Sequence, residues 1–319
     1  MEHSMYSVLG PAGWVERIAK RTSETSFSVH SLKRDGRVIS LIQPSRYPEK
    51  IWSLLFSLHL GNEVLVKVDN IDRYLGEVVI ALTLMDKRQG RVTLGPEVDR
   101  RHFEKIAEGT PLQDYTDFDG DPAILRESLL TEPVVDEGSS PLVLLDQAFS
   151  VRGVGTVALG FVVKGTLKKH MELVAMPGER RVQIRSIQVQ DKDRDTASSG
   201  ARVGIALRGP SVEDLPRGTA LVDDDSLGTA SNRVVVDLGT HNLWKGGLSI
   251  GDRLHIWHSL QFVPAEVIDV SRTGDNRFET TLSTESPIWY EKGDLAGLSF
   301  LDSSSFRFFC AGRIEGPPE

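Results

Sequence analysis

The sequence predicts an α/β domain followed by two small all-β barrel domains, and three observations carry that prediction. Up to about residue 130, apolar β-prone runs alternate with segments of helical period, the mark of a mostly parallel sheet covered on both faces. From residue 141 onward helical period is almost absent, and short β-prone runs are separated by Gly and Pro turns, as in an antiparallel barrel or sandwich. Two polar breaks, Thr131–Ser140 (TEPVVDEGSS) and Asp223–Asn232 (DDDSLGTASN), set the expected domains at 1–137, 138–225 and 226–319.

In the first segment, Tyr6–Leu9 reads as a strand and Gly13–Arg21 as a helix, with Trp14, Val15 and Ile18 on one side. Phe27–Leu32 and Arg37–Ile42 flank Asp35-Gly36, a hairpin signal that makes one strand of the sheet antiparallel. Glu49–Leu60 carries Ile51, Leu54, Leu55 and Leu58 at helical spacing, and Glu63–Val68 is a short apolar strand. Ile71–Lys87 reads as a helix with Asn70 as its N-cap and Gly90 as its stop. Arg91–Leu94 is a strand and Arg101–Ala107 a helix. Asp121-Pro122 opens a last helix through Leu130, with Asp at the cap and Pro in the first turn. Beyond the linker, runs such as GTVALGFVV, RVQIRSIQV and ARVGIALRG read as barrel strands, and NRVVVDLG, DRLHIWHSLQFVPAEVIDV and RFFCAGRI as those of a second barrel.

Composition limits the function classes. The chain of 319 residues has ordinary apolar and charged fractions, and no apolar run approaches the ~20 residues of a membrane span. With no signal-peptide pattern and a single cysteine, Cys310, the chain is expected in the cytoplasm, away from membranes. Cys310 lies in the apolar run FRFFCAGRI, so a small buried core residue is expected there. The net charge of −8 is uneven: −5 over 1–137, +4 over 138–222 and −7 over 223–319. A basic middle between acidic ends hints at a polyanionic partner for the middle. His255 and His258 are an odd number apart in a strand and face opposite sides, so strand packing or surface hydrogen bonding is expected of them and no metal.

The stretch SMYSVLGPAGWVERIAKR, Ser4–Arg21, has the strand, glycine turn and helix of a phosphate loop. Such a loop needs GxxxxGK[ST], with backbone amides and Lys on the phosphates and a hydroxyl on Mg²⁺. Counting from Gly10 puts Val15, Glu16 and Arg17 at the last three positions, and starting at Gly13 recovers no Lys-Ser/Thr either. Glu16 in place of Lys turns attraction into repulsion, on the order of 4 kcal/mol per charge pair at ~4 Å near a surface.

The middle segment resembles the second domain of the translational GTPases. Phe149, Gly153, Gly155, Thr156, Val157, Gly160 and Gly165 stand in the order of that family's pattern, and Arg217 and Gly218 match its closing turn. Gly153 and Gly155 are expected at positive φ, where a small barrel turns a corner. The last third is similar, more loosely, to the third domain of elongation factor Tu and of selenocysteine-specific elongation factors. The resemblance implies that the first segment is a P-loop GTPase-like G domain, and its nucleotide motifs are degenerate there. After the hairpin, where the family has Asp-x-x-Gly, stand Gln43, Pro44, Ser45 and Arg46, with Tyr47 in the place of the catalytic His. Where Asn-Lys-x-Asp reads guanine stand Pro96, Glu97, Val98 and Asp99; Asp99 is either a residual guanine contact or the cap of the next helix. The whole chain resembles archaeal elongation-factor-Tu-like pseudo-GTPases.

That resemblance implies a translation-factor-like protein that binds RNA, tRNA or the ribosome, without hydrolysing GTP. No catalytic residue, metal or cofactor is expected. GTP and Mg²⁺ enter only if the chain is a diverged active GTPase, and a third reading is a scaffold holding a protein partner in the former nucleotide cleft. Lys168, Lys169, Arg180, Arg181, Arg185, Arg194 and Arg202 are the candidate phosphate contacts, each with a second reading as a solvated surface charge.

Overall fold

The computed structural model describes residues 2–131, 140–244, 246–303 and 306–318. The first expected linker lies almost wholly outside the described residues, as does the boundary drawn at 137. Before it stand β1 (Glu2–Leu9), α1 (Ala12–Ile18), β2 (Lys20–Glu24), β3 (Ser28–Arg34), β4 (Arg37–Gln43), α2 (Ile51–Leu60), β5 (Glu63–Val68), α3 (Arg73–Leu84), β6 (Gly90–Leu94), α4 (Arg100–Ala107), β7 (Thr116–Asp117) and α5 (Pro122–Thr131). They form one seven-stranded sheet in the order β2-β3-β4-β1-β5-β6-β7. Only β3 runs against the rest, held to β4 by a two-residue turn with Asp35 at φ 48° and Gly36 at φ 81°. That is the turn expected of Asp-Gly, because both central residues need positive φ.

Strand alternation sorts the two layers. Tyr6 and Val8 face α1 and α5 through Trp14, Val15, Ile18, Leu125 and Leu129. Met5, Ile42, Val64, Val66 and Val68 face α2, α3 and α4. Helix α2 has no capping side chain, an omission of about 1 kcal/mol. Its fully buried Leu54, Leu55 and Leu58 each contribute roughly 1.5–3 kcal/mol, so burial decides that helix. Asp121 caps α5 as expected, accepting from the Ala123 amide at 2.7 Å.

Several boundaries differ from expectation. Helix α1 stops at Ile18, and Arg21 belongs to β2. The sequence KRTSE has no apolar alternation because both faces of this edge strand meet solvent; pairing with β3 forms it. The cap of α3 is Asp72, not Asn70: Oδ1 accepts from the amides of Tyr74 at 2.9 Å and Leu75 at 3.0 Å. The helix ends before Asp86, at φ 51°, so Gly90 is no stop but the first residue of β6. The two-residue β7 had no sequence signal.

The second domain comprises β8 (Leu142–Val151), β9 (Gly155–Lys164), β10 (Thr166–Lys168), β11 (Glu172–Met176), β12 (Arg180–Val189), β13 (Lys192–Arg194), β14 (Thr196–Ser198), β15 (Arg202–Arg208) and β16 (Ala220–Val222). The β11–β12 pairing closes six of these into a barrel. Gly153 and Gly155 sit at φ 80° and 102°, as the corner requires. The third comprises β17 (Thr229–Thr240), β18 (Arg253–His258), β19 (Gln261–Gly274), β20 (Arg277–Tyr290), β21 (Leu295–Ser299) and β22 (Phe308–Gly316), again a closed six-stranded barrel. Cys310 is buried in its core. No helix among the described residues is long and apolar enough to cross a membrane.

The three domains share packing. One apolar cluster runs from α2 and α3 through Phe161, Val174 and Met176 of the middle barrel to Trp257, Trp289 and Phe308 of the last. Two charged groups tie it. Glu77 on α3 takes the Arg307 guanidinium, with Nε at 2.9 Å; Glu77 is buried and Arg307 half-buried. The buried Asp146 carboxylate of the middle barrel accepts from Thr25 Oγ1 at 2.7 Å and meets Arg217 Nε at 3.3 Å, while Arg217 lies over the Trp52 ring of α2. Gly200, at φ 82°, packs so closely on His3 of β1 that a Cβ there would lie 2.5 Å from the His3 carbonyl oxygen.

Candidate functional site

The ends of β1, β4 and β5 at Leu9, Gln43 and Val68 open on a cleft of about 580 Å³. In open α/β sheets ligands enter outside the carboxyl ends of the strands. The connection from β1 to α1 is two residues, Gly10 and Pro11. An eight-residue GxxxxGK[ST] loop between strand and helix has no room there. The position-by-position count from Gly10 is therefore corrected. Val15 is in the core, and Glu16 and Arg17 stand in the second turn of a seven-residue helix rather than at its start. Ala12 and Gly13 open that helix. Gly10 is pinned, because a Cβ there would meet the Trp14 ring at 3.0 Å and Lys67 Cβ at 3.2 Å.

The other expected positions spread apart. The Gln43 amide donates to the Gly10 carbonyl at 2.8 Å and so bridges the ends of β4 and β1. Arg46 is exposed, and its backbone amide is held by Ser53 Oγ at 3.3 Å. Tyr47 lines the cleft: its hydroxyl donates to the Tyr74 carbonyl at 2.9 Å, its ring meets Tyr74 edge-on, and Arg307 of the third domain lies over it. Burial, with Glu77 beside it, raises the Tyr47 pKa well above the usual range. Asp99 accepts from the His102 amide at 2.7 Å, the capping reading, and does not line the cleft.

Sequence reasoning missed most of the cleft wall. Arg21 and Glu24 come from the unforeseen β2, paired at 2.9 Å, with Glu16 3.9 Å from the same guanidinium. Lys67 and Asp69 pair at 3.1 Å. Asp72 faces the cleft while capping α3. His30 is buried at its wall, and burial lowers its pKa. A faint signal existed: Asp69 and Asp72 directly follow an apolar strand.

The seven basic candidates of the middle barrel do not form one patch. Lys168 and Lys169 are exposed, and neither has an ion-pair partner among the described residues. Backbone pairing sets them near Arg185: Lys169 bonds to Asp195, and His170 bonds to Ile184. Arg185 reaches the glycine corner, donating to the Val154 carbonyl at 2.8 Å. Arg180 and Arg181 lie at the other end of β12, roughly 13 Å away along the strand. They pair with Asp214 at 3.5 Å and Asp224 at 2.9 Å. Arg202 is a correction: its guanidinium stacks on Phe161 at 5.3 Å, and burial lowers its pKa. Arg194 is half-buried and acts on His3 of the first domain. Both turn towards the domain interface, because the barrel face carrying them is covered by β1 and β3. His255 stacks on Phe262 and His258 is buried beside Trp289, which is packing.

Comparison with known proteins follows this geometry. A family model for elongation factor Tu domain 2 matches residues 155–222. An uncharacterised protein of Methanocaldococcus jannaschii is 28% identical over 301 residues, covering 94% of this chain and 95% of that one. The selenocysteine-specific elongation factor of the same organism is 34% identical over 124 residues, 39% of this chain and 26% of that protein. Elongation factor 1-alpha of Pyrobaculum calidifontis is 28% identical over 155 residues, 48% of this chain and 34% of that protein. The matches thus span a quarter to a third of those two elongation factors. Translation elongation factor SelB of Methanococcus maripaludis, in complex with the GTP analogue GppNHp, has the same fold. The TM-score is 0.82 at 19% identity, covering 100% of this chain and 80% of that one. The middle domain thus carries the likeness to elongation factor Tu domain 2, and the chain shares its fold with SelB.

Proposed function

We propose that the chain is a translation-linked protein that binds RNA through its middle barrel and does not hydrolyse GTP. The observation that carries this reading is the contrast between two surfaces. The first-domain cleft has a two-residue connection where the family has a phosphate loop. Its charged donors are tied up, Lys67 on Asp69 and Arg21 on Glu24, and Asp72 takes the two amides at the start of α3 that could have met an anion. These residues do not fit GTP and Mg²⁺. The middle barrel, by contrast, presents Lys168 and Lys169, without ion-pair partners among the described residues, near Arg185 beside an exposed glycine corner. Exposed cations beside an open, exposed backbone corner suit a phosphate backbone.

Binding of a fluorescent RNA hairpin, measured at increasing salt, tests the reading. Each neutralised phosphate releases counterions, so affinity falls steeply with salt. Changing Lys168 and Lys169 to Ala weakens binding and flattens the slope by about 0.9 per lost contact on double-stranded RNA treated like B-form DNA. An unchanged affinity and slope in that variant removes this face. Tight GTP binding with turnover would favour a diverged GTPase instead.

A further inference from the structure

Beside the cleft, across Glu16 and Arg21, a more open groove of about 620 Å³ runs between α1, α5 and the β2–β3 hairpin. Four cations line it, Lys20, Arg21, Lys33 and Arg126, against the single carboxylate of Glu16. The first domain is acidic as a whole, so the groove is a local reversal of sign. The acids around it are spent on arginines: Glu16 and Glu24 on Arg21, and Glu127 on Arg34 at 2.8 Å. Lys20 and Lys33 are exposed, and neither has an ion-pair partner among the described residues.

Backbone pairing holds the two lysines together. Lys20 stands opposite Ser31, and Lys33 is two residues further along β3, so all three share one face. Diagonal neighbours of this kind lie about 7–8 Å apart, and like charges so placed repel until an anion comes between them. Arg126 adds a third charge from α5. It closes the C-terminus of α1, Nε donating to the Ile18 carbonyl at 2.8 Å and Nη2 to the Arg17 carbonyl. No aromatic ring among the described residues lines the groove for a base to stack on, so it suits backbone phosphates rather than bases.

We propose that this groove is a second RNA contact, taking backbone phosphates between Lys20 and Lys33, so that one RNA bridges the first domain and the middle barrel. The proposal rests on the RNA reading above and extends it to the first domain. The two contacts lie on linked elements. Gln190 Nε2, in the β12–β13 turn, donates to Ser31 Oγ at the groove at 3.1 Å. Past β13, the Asp195 carbonyl accepts from the Lys169 amide at 2.8 Å. The extended chain between them spans roughly 17 Å, about five base pairs at the B-form rise of ~3.4 Å. Asp191, Asp193 and Asp195 are exposed along it, so the RNA meets the protein at two separate points and not along a continuous track.

The test is fluorescence titration, at increasing salt, with two RNA hairpins: one with a stem of about ten base pairs (~34 Å) and one with about three (~10 Å). Lys20→Ala with Lys33→Ala should weaken the long hairpin about tenfold at low salt, flatten its salt dependence by about 0.9 per lost contact, and leave the short hairpin unchanged. Lys168→Ala with Lys169→Ala should weaken both. As a control, Lys50→Ala with Lys105→Ala removes the same charge from exposed positions outside the groove and should change neither. A second measurement needs no mutation: in amine labelling of the wild-type protein, the long hairpin should protect Lys20 and Lys33. Unchanged long-hairpin affinity, an equal loss in the control variant, or protection of Lys168 and Lys169 without Lys20 and Lys33 would overturn the bridge and leave the RNA reading standing. No binding of either hairpin would overturn both. Protection of Lys20 and Lys33 by polyglutamate and not by RNA would assign the groove to an acidic protein and likewise overturn the proposal.

Discussion

The middle barrel and the first-domain cleft carry opposite kinds of constraint. In the barrel, the family's glycines stand where the backbone demands them: Gly153 and Gly155 at positive φ, and Gly160 against the Leu144 carbonyl, where a Cβ would lie at 2.5 Å. These serve construction, and any sequence that closes this barrel must meet them. In the cleft, several residues instead serve the fold through side-chain contacts. Gln43 bridges two strand ends, Tyr47 wedges against Arg307, and Asp99 caps a helix. A fold does not by itself fix a site's chemistry, because packing residues answer to the chain itself.

The same comparison extends to the domain joints, and the largest expected effect lies there. Glu77→Ala leaves the half-buried Arg307 guanidinium with only the Glu49 carbonyl and the Tyr47 ring and should cost about 2–3 kcal/mol, read as a drop in melting temperature. The exposed pair Arg34–Glu127 at 2.8 Å is the contrast: Arg34→Ala should cost under about 1 kcal/mol. Equal losses would mean that the joint is no tighter than the surface.

Acid should open the joints next. Burial holds His59 at a pKa of about 3 and His3 at about 4. Both are below the usual 6.5, so the unfolded chain binds more protons through this window. Their penalty is absent above pH 6.5 and grows as pH falls towards the folded values, by at most ~1.4 kcal/mol per group per pH unit. His59 meets the Trp257 ring edge-on across the first and third domains. Stability by urea denaturation should therefore fall steadily between pH 6.5 and 4, and less steeply in His59→Phe. A flat profile would place these rings in water.

The smallest expected effect is a null one. Glu16→Lys should not create GTP binding, because the new ammonium would sit in the second turn of α1 with no loop before it. Fluorescent-nucleotide titration reads this directly, and micromolar binding would mean that the cleft adopts a wider loop than the two residues seen.

How much of this was legible in the sequence depends on what each residue answers to. Helices α2 and α3 showed themselves because their apolar spacing is local, and Asp35-Gly36 because its φ demands are local. Strand β2 did not, since KRTSE is polar on both faces and forms only by pairing. The cap of α3 was misplaced by two residues because Asn70 and Asp72 are both good capping types. Counting from Gly10 put Glu16 at the Lys position of a phosphate loop, and only the structure showed that two residues join β1 to α1. Arg202 read as a phosphate contact because sequence gives charge without burial. Asp146, Glu77 and Arg307 gave no signal and Arg217 only one of turn type, since their partners are 71 to 230 residues apart.

Co-sedimentation with ribosomes, with GTP, with GDP and without nucleotide, each at low and high salt, tests the central claim most directly. The expected result is the same bound fraction in all three nucleotide conditions, lost as salt rises and reduced by Lys168→Ala with Lys169→Ala. Binding that requires GTP, or GTP hydrolysis stimulated by ribosomes, would contradict it.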